Sequence, residues 1–513
     1  MSLNLSSIVQ CSNRYFRAET ALIDGDVRLS YRDLAREVEG FAAYLAGLGL
    51  VPGDKVAILL PNRMSFTIAY FGILHAGLTV VPVSFLSVER EIEHVLKDSE
   101  ASALIAWSAY ERQARAAREA VPGCTRFILV SERAGPLTIE EGPPRDPALT
   151  LDLRATEPGD TAVIIYTSGT TGEPKGAELT HFNLYSNAQF CADRIFYDGS
   201  TFQTLGPGNV LLAALPLFHS FGQTCNQNAA ILAGGALTYI ERFDARSALE
   251  VMERDRVTLF AGVPTMYFQI LNLPGAERYD LSSLKYCSSG GAAMPLEVMK
   301  DFEDRHHVDI LEGYGLSETS PVATFNALWR PRKPGSIGQA IPGVEVKIFD
   351  DQDREVPRGE VGEVVIRGYN VMKGYYRRPE ATRKAFSSGW FHSGDMGRMD
   401  DESYAYIVDR KKDLIIRGGF NVYPREVEEV LYAHPAVREA AVVGVPSLEY
   451  GEEVKAFLSF KAGETATEEE ISAFCRKNLG ATKYPRVFEV LADLPKGPTG
   501  KILRKELRAR GES

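Results

Sequence analysis

Short apolar runs alternate with helix-like segments, and this alternation limits the fold of the chain more than any other feature. Residues 56–60 are typical of a buried strand, 65–76 of a helix and 79–83 of the next strand. A strand, a helix and a strand in this order predict a parallel sheet. Further strand candidates lie at 162–166, 210–215, 258–263 and 309–313. Because open α/β sheets bind ligands at the carboxyl ends of their strands, we expect the chemistry in the loops that follow.

The last hundred residues follow a different pattern, which predicts a second domain. The charge run 409–413 (DRKKD) comes after a Gly-rich apolar region. The segments after it predict a helix, a strand and a helix, at 425–433, 440–445 and 467–479. A chain of 513 residues is also too long for one compact core. We therefore predict one domain of residues 1–411 and a second of residues 412–513.

Composition argues against several classes of protein. The net charge of −11 gives no support for a nucleic-acid partner. The six cysteines form no CxxC pair and have no zinc-type spacing, which indicates a reduced chain. The N-terminus lacks the features of a secretory signal, and no apolar run reaches membrane-spanning length. We expect a cytoplasmic protein without a transmembrane segment; the sequence does not predict an oligomeric state.

The segment 166–176 (YTSGTTGEPKG) is the strongest functional signal. It follows a predicted strand and is rich in glycine and hydroxyl groups. Glycines let backbone N–H groups approach phosphate oxygens, hydroxyl groups add donors, and Lys175 adds positive charge. The spacing is not that of the GxxxxGK[ST] motif. The composition favours a phosphate-binding loop over a surface turn.

Four further segments place polar groups beside glycines, and each alone is a weak signal. They lie at 313–319, 390–397, 409–424 and 495–504. Tyr314 offers a ring face to a base, and Glu318 offers a carboxylate oxygen to Mg²⁺. Asp395, after a tight turn, can accept two hydrogen bonds from a ribose diol. Lys501 follows a Gly/Pro-rich loop and is predicted to open a helix, where an isolated lysine is ordinarily solvated.

Together, in order and spacing, the five segments resemble the signature motifs of the adenylate-forming (ANL) superfamily. Its members include acyl-coenzyme A synthetases, adenylation domains of peptide synthetases and beetle luciferases. The resemblance runs from Tyr166 to Arg504, and it favours the branch of acyl-coenzyme A synthetases and fatty-acid–CoA ligases. It implies an α/β fold with a large N-terminal domain of two α/β sheets and a distorted β-barrel. A small, mobile α+β C-terminal lid domain would complete the fold.

The resemblance implies a nucleotide site at the matching positions. The phosphates of ATP would contact Thr167, Ser168, Gly169, Thr170, Thr171, Gly172 and Lys175. The remaining contacts would be Gly290, Gly291, Ala292, Tyr314 and Gly315 near adenine, Thr319 at the α-phosphate, and Asp395 and Arg410 at the ribose. Glu318 and Thr170 would hold Mg²⁺.

The resemblance also implies the residues that act on the acid and the thiol. Lys501 would bridge the substrate carboxylate and the phosphate, and His219 would be the gate between the acyl pocket and the thiol tunnel. Lys412 matches the hinge, and Gly419 would line the tunnel of the pantetheine arm of coenzyme A. The predicted catalytic residues are Lys501, His219, Glu318 and Thr167.

The implied activity is that of an ATP-dependent acyl-CoA synthetase, with ATP, Mg²⁺ and coenzyme A. It would adenylate an acid, release pyrophosphate, and pass the acyl group to coenzyme A after a rotation of the lid. Gly313 would leave space at the end of the acid pocket. The expected apolar walls are Phe218, Phe221, Val263 and Val322. These features favour an apolar monocarboxylic acid, with a fatty acid as the main expectation.

Several alternatives stay open from the sequence. The acid could be an aryl acid, or the acceptor could be a free-standing carrier protein. A luciferase-like oxygenase would use the same motifs. The chain could also be a catalytically inactive nucleotide-binding module, but the intact Lys501 and Glu318 argue against this alternative. Lys501 also matches a lysine that is acetylated in some members of the superfamily, so a protein acetyltransferase is a further expected partner.

Overall fold

The computed structural model of the chain describes residues 2–133, 135–146, 148–167, 174–193, 205–497 and 500–511. The strands are β1 Thr20–Asp24, β2 Val27–Ser30, β3 Lys55–Leu59, β4 Thr79–Pro82, β5 Ala101–Trp107, β6 Arg126–Ser131, β7 Thr138–Glu141, β8 Thr161–Thr167, β9 Lys175–Thr180, β10 Val210–Ala213, β11 Ala236–Tyr239, β12 Leu259–Gly262, β13 Tyr286–Ser289, β14 Ile310–Gly315, β15 Val322–Phe325, β16 Gln339–Ala340, β17 Val344–Phe349, β18 Gly362–Gly368, β19 Gly374–Tyr375, β20 Phe386–Ser387, β21 Trp390–Met399, β22 Ala405–Arg410, β23 Ile415–Arg417, β24 Phe420–Val422, β25 Val437–Ser447, β26 Gly451–Phe460 and β27 Val487–Val490.

The α-helices are α1 Ser7–Phe16, α2 Tyr31–Gly47, α3 Met64–His75, α4 Glu89–Asp98, α5 Glu111–Glu119, α6 His181–Asp193, α7 Ala229–Ala233, α8 Ala245–Arg254, α9 Pro264–Leu271, α10 Leu296–His306, α11 Pro379–Ala385, α12 Pro424–Tyr432, α13 Glu468–Asn478 and α14 Arg504–Gly511. A π-helix spans Phe221–Asn228, and the 3₁₀ helices are Ser108–Tyr110, Ala276–Arg278 and Ser317–Thr319. Within the described residues, no helix is both long and apolar enough to cross a membrane.

Two large sheets form the bulk of the N-terminal domain. One has the order β19-β9-β8-β4-β3-β5-β6-β7, and the other β16-β15-β14-β13-β12-β10-β11-β1-β2. Strands β3 and β4 pair in parallel around α3, which confirms the strand–helix–strand unit predicted from the sequence. Strands β8 and β9, on either side of the predicted phosphate loop, pair antiparallel instead.

Helix α3 is buried along its whole length. All 12 of its residues are buried, including the polar Ser65, Thr67 and His75. A helix that is apolar on all sides belongs in a core rather than on a surface. Its side chains join the large apolar cluster that also contains residues of both large sheets, so α3 and the two sheets share one core.

A third sheet, of antiparallel strands, follows the two large ones. Its order is β17-β18-β21-β20, with β22 paired to β21. This is the barrel that completes the N-terminal domain. The sequence predicted Asp395 after a tight turn, but the residue lies within strand β21. The preceding Gly394 has a φ of +74°, which bends the strand and turns the Asp395 carboxylate towards β14.

The C-terminal domain has its own sheet and core. The sheet has the order β24-β23-β26-β25, with β27 on β26, and its apolar cluster contains only residues from Ile415 onward. Strand β22 ends at Arg410 and β23 begins at Ile415, so Lys412 lies in the turn between the third sheet and this one. The boundary proposed at residue 412 falls in that turn. Helix α13 lies within the predicted range 467–479, and Thr467 and Glu470 form a capping box at its start.

The prediction that Lys501 opens a helix is wrong by three residues. Helix α14 begins at Arg504, and Lys501 lies in a tight loop before it. Gly500 has a φ of +79°, outside the helical region, and the Gly497 N–H donates to the Lys501 carbonyl over 2.8 Å. This loop carries the Lys501 side chain away from the axis of α14.

Candidate active site

Tyr314, Asp395 and Arg410 come together where β14 meets the barrel. The Tyr314 hydroxyl donates to Asp395 Oδ2 over 2.7 Å, and Arg410 Nε lies 3.5 Å from Asp395 Oδ1. Asp395 and Arg410 are cross-strand partners of β21 and β22. Burial raises the pKa of Asp395, while Arg410, Tyr314 and Lys501 oppose the rise. A ring, a carboxylate and a guanidinium side by side suit a base and a ribose diol.

Glu318 lies in the 3₁₀ turn after β14 and contacts Thr167, at the start of the predicted phosphate loop. Its Oε1 accepts hydrogen bonds from the hydroxyls of Tyr375, over 2.9 Å, and Thr167, over 3.4 Å. Lys175 Nζ lies 5.4 Å from the centroid of the Tyr375 ring. The candidates Ser168, Gly169, Thr170, Thr171 and Gly172 lie outside the described residues. The structure therefore brings Thr167 to Glu318 and Lys175 to the ring of Tyr375, a residue for which the sequence analysis found no signal.

The oxygen donors at Glu318 and Thr167 fit Mg²⁺. This ion binds proteins through one or two carboxylates and takes its other ligands from phosphates and water. Across the described ranges, no three His, Cys, Asp or Glu side chains form a metal cluster. A site made of Glu318, a neighbouring hydroxyl and substrate phosphates is consistent with both facts. The role of Thr170 in this site stays a prediction.

Thr319 is fully buried at the end of the 3₁₀ turn. Its hydroxyl accepts the Leu316 N–H over 2.9 Å and donates to the Pro321 carbonyl. The hydroxyl thus closes its own turn, and a contact between Thr319 and the α-phosphate stays a prediction. Gly315 lies under the same turn. A methyl group placed on Gly315 would be 1.8 Å from the Pro321 carbonyl oxygen, so only glycine fits there.

Lys501 lies over the glycines that follow β13. A methyl group placed on Gly291 would be 3.4 Å from Lys501 Cε and 3.6 Å from Val263 Cγ1. The Thr265 hydroxyl donates to the Gly500 carbonyl over 3.3 Å, which docks the Lys501 loop on the start of α9. The loop of the C-terminal domain therefore delivers its lysine to the segment predicted to flank adenine, Gly290 to Ala292.

Burial and neighbouring charges shift the pKa values of Lys501 and His219. Burial lowers the pKa of Lys501 to about 8, with Arg410 adding to the shift and Asp395 opposing it. Burial also lowers the pKa of His219 to about 4, and the charge of Lys501 contributes. His219 is therefore neutral at pH 7. It precedes the π-helix, whose Phe221 N–H donates to His219 Nδ1 over 3.3 Å.

Within the described part of the chain, Gly419 has no recorded contact with this cluster, whereas Lys412 lies two residues after Arg410, where burial and the charge of Arg410 lower the pKa of Lys412. Gly419 is in the hairpin between β23 and β24 with a φ of +84°. A methyl group placed on it would meet no described heavy atom within 4 Å. The flanking Ile416 and Phe420 are more than half exposed. The predicted role of Gly419 in the thiol tunnel therefore requires the C-terminal domain to move from the arrangement seen here.

Two family models match this chain. That of the AMP-binding enzyme matches residues 10–376, and that of the AMP-binding enzyme C-terminal domain matches residues 426–501. The chain belongs to the AMP-binding enzyme family. The matched ranges cover the two large sheets and most of the C-terminal domain of this enzyme. Both the fold and the superfamily predicted from the sequence are confirmed.

Known relatives of the enzyme include ligases of two kinds of acid. It is 37% identical to a long-chain-fatty-acid–CoA ligase of Bacillus subtilis (strain 168), with 98% of this chain and 94% of that protein covered. It is also 37% identical to a feruloyl-CoA synthase of an Amycolatopsis species, with 96% of both covered. The anthranilate CoA ligase AuaEII in complex with anthranoyl-AMP has a TM-score of 0.91 at 27% identity, over 100% of this chain and 98% of that one.

That Gly313 lies at the end of the acid pocket stays a prediction, and the structure places the Phe325 ring beside this glycine. Gly313 pairs across β14 and β15 with Phe325, and a methyl group placed on Gly313 would be 2.5 Å from Phe325 Cδ2. The Phe325 ring therefore occupies the space that the glycine vacates, and Phe190 packs edge-on against it at 6.1 Å between centroids. The Phe218 ring packs on that of Phe85, with 5.6 Å between the centroids, and its role as a wall stays a prediction.

Glu312 is a buried residue of the site that the sequence analysis missed. Its carboxylate accepts the Met294 N–H over 3.2 Å and the Gly335 N–H over 3.3 Å. Burial raises its pKa to about 7, against the opposing charges of Arg425 and Arg332. Glu312 thereby fixes the loop that follows Gly290 to Ala292. A glutamate before GYG carries no sequence signal of burial.

The lowered pKa of Lys501 predicts a fall in adenylation at alkaline pH. Above about pH 8 the free enzyme loses the Lys501 proton and with it the positive charge. We expect kcat/KM for the acid, measured by ATP–pyrophosphate exchange, to fall about tenfold per pH unit above pH 8. In Lys501→Arg the side chain stays charged, so any remaining activity should keep its level to higher pH. A wild-type profile that stays flat to pH 10 would contradict the assignment.

Proposed function

We propose that this enzyme is an ATP-dependent acyl-coenzyme A synthetase. It joins an apolar monocarboxylic acid to AMP, releases pyrophosphate, and transfers the acyl group to the thiol of coenzyme A. The observation that carries the proposal is the position of Lys501, which lies over Gly291 and within the electrostatic reach of Asp395 and Arg410. The names of the relatives support a CoA ligase, and the anthranoyl-AMP complex of AuaEII supports an acyl-adenylate intermediate.

The nucleotide would lie between the two groups of side chains described above. Tyr314 offers its ring to adenine, and Asp395 and Arg410 bind the ribose. Thr167 and Lys175 reach the phosphates. Bound Mg²⁺, held by Glu318, supplies charge that offsets the phosphates. These residues orient the α-phosphate without taking part in any covalent step, so their contribution is positioning and electrostatic stabilisation.

Lys501 offsets the electrostatic repulsion that opposes the first half-reaction. A carboxylate that approaches a triphosphate is repelled by it, and the repulsion is large where water is excluded. The Lys501 ammonium can contact both the carboxylate and the α-phosphate while the carboxylate oxygen attacks phosphorus and pyrophosphate leaves. A preorganised charge of this kind needs no rearrangement at the moment of reaction. The half-buried position of Lys501 is consistent with such a water-poor site.

The second half-reaction needs a different arrangement of the same site. The thiol attacks the carbonyl carbon of the acyl-adenylate, and AMP leaves. We propose that the C-terminal domain turns about Lys412, withdraws Lys501, and brings the Gly419 hairpin to the site. The neutral His219 lies beside the Lys501 loop and can act as the gate between the acid and the thiol. A closing domain also protects the anhydride from water.

The acid that best fits is an apolar monocarboxylate whose end meets the Phe325 ring. Val322 is buried on the same strand as Phe325, Val263 is buried beside Gly291, and Phe221 lies 3.2 Å from a methyl group placed on Gly290. An aromatic end wall suits both an alkyl chain and an aryl ring, so the aryl-acid ligase remains the second candidate. The feruloyl-CoA synthase relative supports it.

We expect Phe325→Ala to shift the preference of the enzyme towards longer or bulkier acids. The change opens the space beside Gly313, and the ratio of kcat/KM for a longer acid over a shorter one should rise by about tenfold or more. Because deletion of a buried ring also costs about 3–5 kcal/mol of stability, Phe302→Ala is the matched control. It should lower the unfolding midpoint and leave the ratio unchanged. An unaltered ratio in Phe325→Ala would place the acid elsewhere.

The experiment that tests the proposed function is ATP–pyrophosphate exchange with a panel of acids. The panel runs from acetate through long-chain fatty acids to benzoate and ferulate, and the active acids are then assayed for thioester with coenzyme A. Exchange without thioester would favour transfer to a carrier protein. Exchange confined to acetate or malonate would overturn the apolar acid, and no exchange with any acid would overturn adenylation.

We further propose a cytoplasmic location and an acetyltransferase that modifies Lys501. The six cysteines are free thiols, which supports a reducing compartment. Acetylation removes the charge of a lysine, so the modified enzyme would lose adenylation and keep the thiol step.

A further inference from the structure

Three buried carboxylates surround the guanidinium of Arg504, the first residue of α14. Arg504 Nη1 lies 3.3 Å from Asp409 Oδ1 and 3.6 Å from Asp413 Oδ2, and Nη2 lies 2.5 Å from Glu428 Oε2. The three acidic residues are at most 9% exposed. Each of these buried carboxylates is shielded from water and depends on the positive charge of Arg504, so the cluster keeps one geometry.

The Arg504 cluster is connected directly to the loop of Lys501. Arg504 follows Lys501 by three residues, and the Leu503 N–H donates to the Pro495 carbonyl over 2.8 Å. The Gly497 N–H closes the same loop on the Lys501 carbonyl. A shift of Arg504 therefore shifts Lys501, and the position of the guanidinium sets that of the ammonium group over Gly291.

Asp409 differs from the other two carboxylates by its place in the fold. It is on β22 of the barrel, whereas Asp413 and Glu428 come after the turn at Lys412 and would move with Arg504. Asp409 Oδ2 also accepts the backbone N–H of Arg425, the second residue of α12, over 2.9 Å. The Asp409 carboxylate of the N-terminal domain thus binds two helices of the C-terminal domain. It contacts the Arg504 side chain of α14 and a backbone N–H at the N-terminus of α12.

The contacts of Asp409 depend on the arrangement of the two domains. If the C-terminal domain turns about Lys412, Arg504 keeps Asp413 and Glu428, while Asp409 stays with the barrel. The contacts from Asp409 to Arg504 and to the Arg425 N–H are then among those that must break, together with the hydrogen bonds from Arg425 to the Ile407 carbonyl and from Thr265 to the Gly500 carbonyl. They stabilise the arrangement seen here and contribute nothing to one in which they are absent.

We propose that Asp409 is a positioning residue that holds the C-terminal domain in the arrangement that delivers Lys501 to the acid and ATP. The proposal rests on the proposed two-step function. It requires that Asp409 favour adenylation and oppose the turn that precedes thiol attack. The two half-reactions should therefore respond to its loss in different ways, which a simple structural role would not produce.

The test measures both half-reactions in Asp409→Ala. We expect ATP–pyrophosphate exchange to fall by about ten- to a hundredfold. Thioester formation from supplied acyl-adenylate and coenzyme A should be unchanged or faster. Asp409→Asn keeps an oxygen for the Arg425 N–H and loses the charge towards Arg504. Its rate of ATP–pyrophosphate exchange should therefore lie between those of the wild type and Asp409→Ala.

Asp413→Ala is the matched control, since Asp413 contacts the same guanidinium and also Arg508 from within the C-terminal domain. Its loss should affect the two half-reactions in parallel. An equal fall of both in Asp409→Ala, or unchanged exchange, overturns the proposal. If Asp409→Ala fails to fold, the same comparison of the two half-reactions in Asp409→Asn tests the proposal. Absence of exchange in the wild-type enzyme would instead count against the proposed function.

Discussion

Lys501→Ala should reduce turnover with acid and ATP by about 10²–10⁴, which corresponds to roughly 3–5 kcal/mol of lost transition-state stabilisation. The ammonium group is needed while a carboxylate approaches a triphosphate, and an alanine leaves that repulsion uncompensated. The same variant should still convert supplied acyl-adenylate and coenzyme A to thioester at close to the wild-type rate. Single-turnover assays of the two half-reactions measure both effects.

Lys505→Ala provides the control for the Lys501 variant. Lys505 is exposed on α14, one turn beyond the site loop, and its removal changes the net charge by the same amount. We expect it to leave both half-reactions within about twofold of the wild type, as for most surface substitutions. If Lys501→Ala slowed both half-reactions equally, Lys501 would be holding the fold of the site rather than acting on the carboxylate.

Gly419→Leu should abolish most thioester formation and spare pyrophosphate exchange. In the arrangement seen here, a side chain at residue 419 meets no described atom within 4 Å, so adenylation has no reason to suffer. After the C-terminal domain turns, the isobutyl group would occupy the proposed path of the thiol. We expect the rate of thioester formation to fall by about a hundredfold or more, which corresponds to roughly 3 kcal/mol.

The control for Gly419→Leu is Gly419→Ala. Both variants pay the same backbone cost at a φ of +84°, about 1 kcal/mol, but alanine adds little bulk. A large difference between them in the thiol step would therefore measure steric blocking. Equal losses in exchange and thioester formation would show that the glycine serves only its hairpin.

The sequence predicted the parallel strands well and the barrel poorly. Strand β3 is a continuous apolar run because both faces of its sheet are covered, and such a run is visible in one sequence. Strand β17 alternates in burial, β19 and β20 have two residues each, and the pairings of β18 with β21 and of β19 with β9 join strands that are not neighbours in the chain. Pairing of this kind depends on the whole fold and leaves no local pattern.

The same distinction applies to the candidate site. Motifs confined to one short segment, such as those of Tyr314 and Asp395, were predicted from residue type and spacing, and the structure brings these two side chains into contact. Phe325 was missed because its effect on Gly313 arises across two paired strands. Tyr375 reaches Glu318 from a two-residue strand with no motif of its own. The arrangement of the two domains, which places Lys501, is also invisible in the sequence.

The docking of the Lys501 loop on α9 has a consequence for chemical labelling. An enzyme or reagent that attacks the amine has restricted access to it while the half-buried side chain lies over Gly291. We expect modification to proceed mainly in molecules whose C-terminal domain has turned away, so that its rate reports the fraction of time spent there. Acid and ATP, by favouring the docked form, would act as protecting agents. The concentrations of acid and ATP would thus determine how quickly modification of Lys501 inactivates the enzyme.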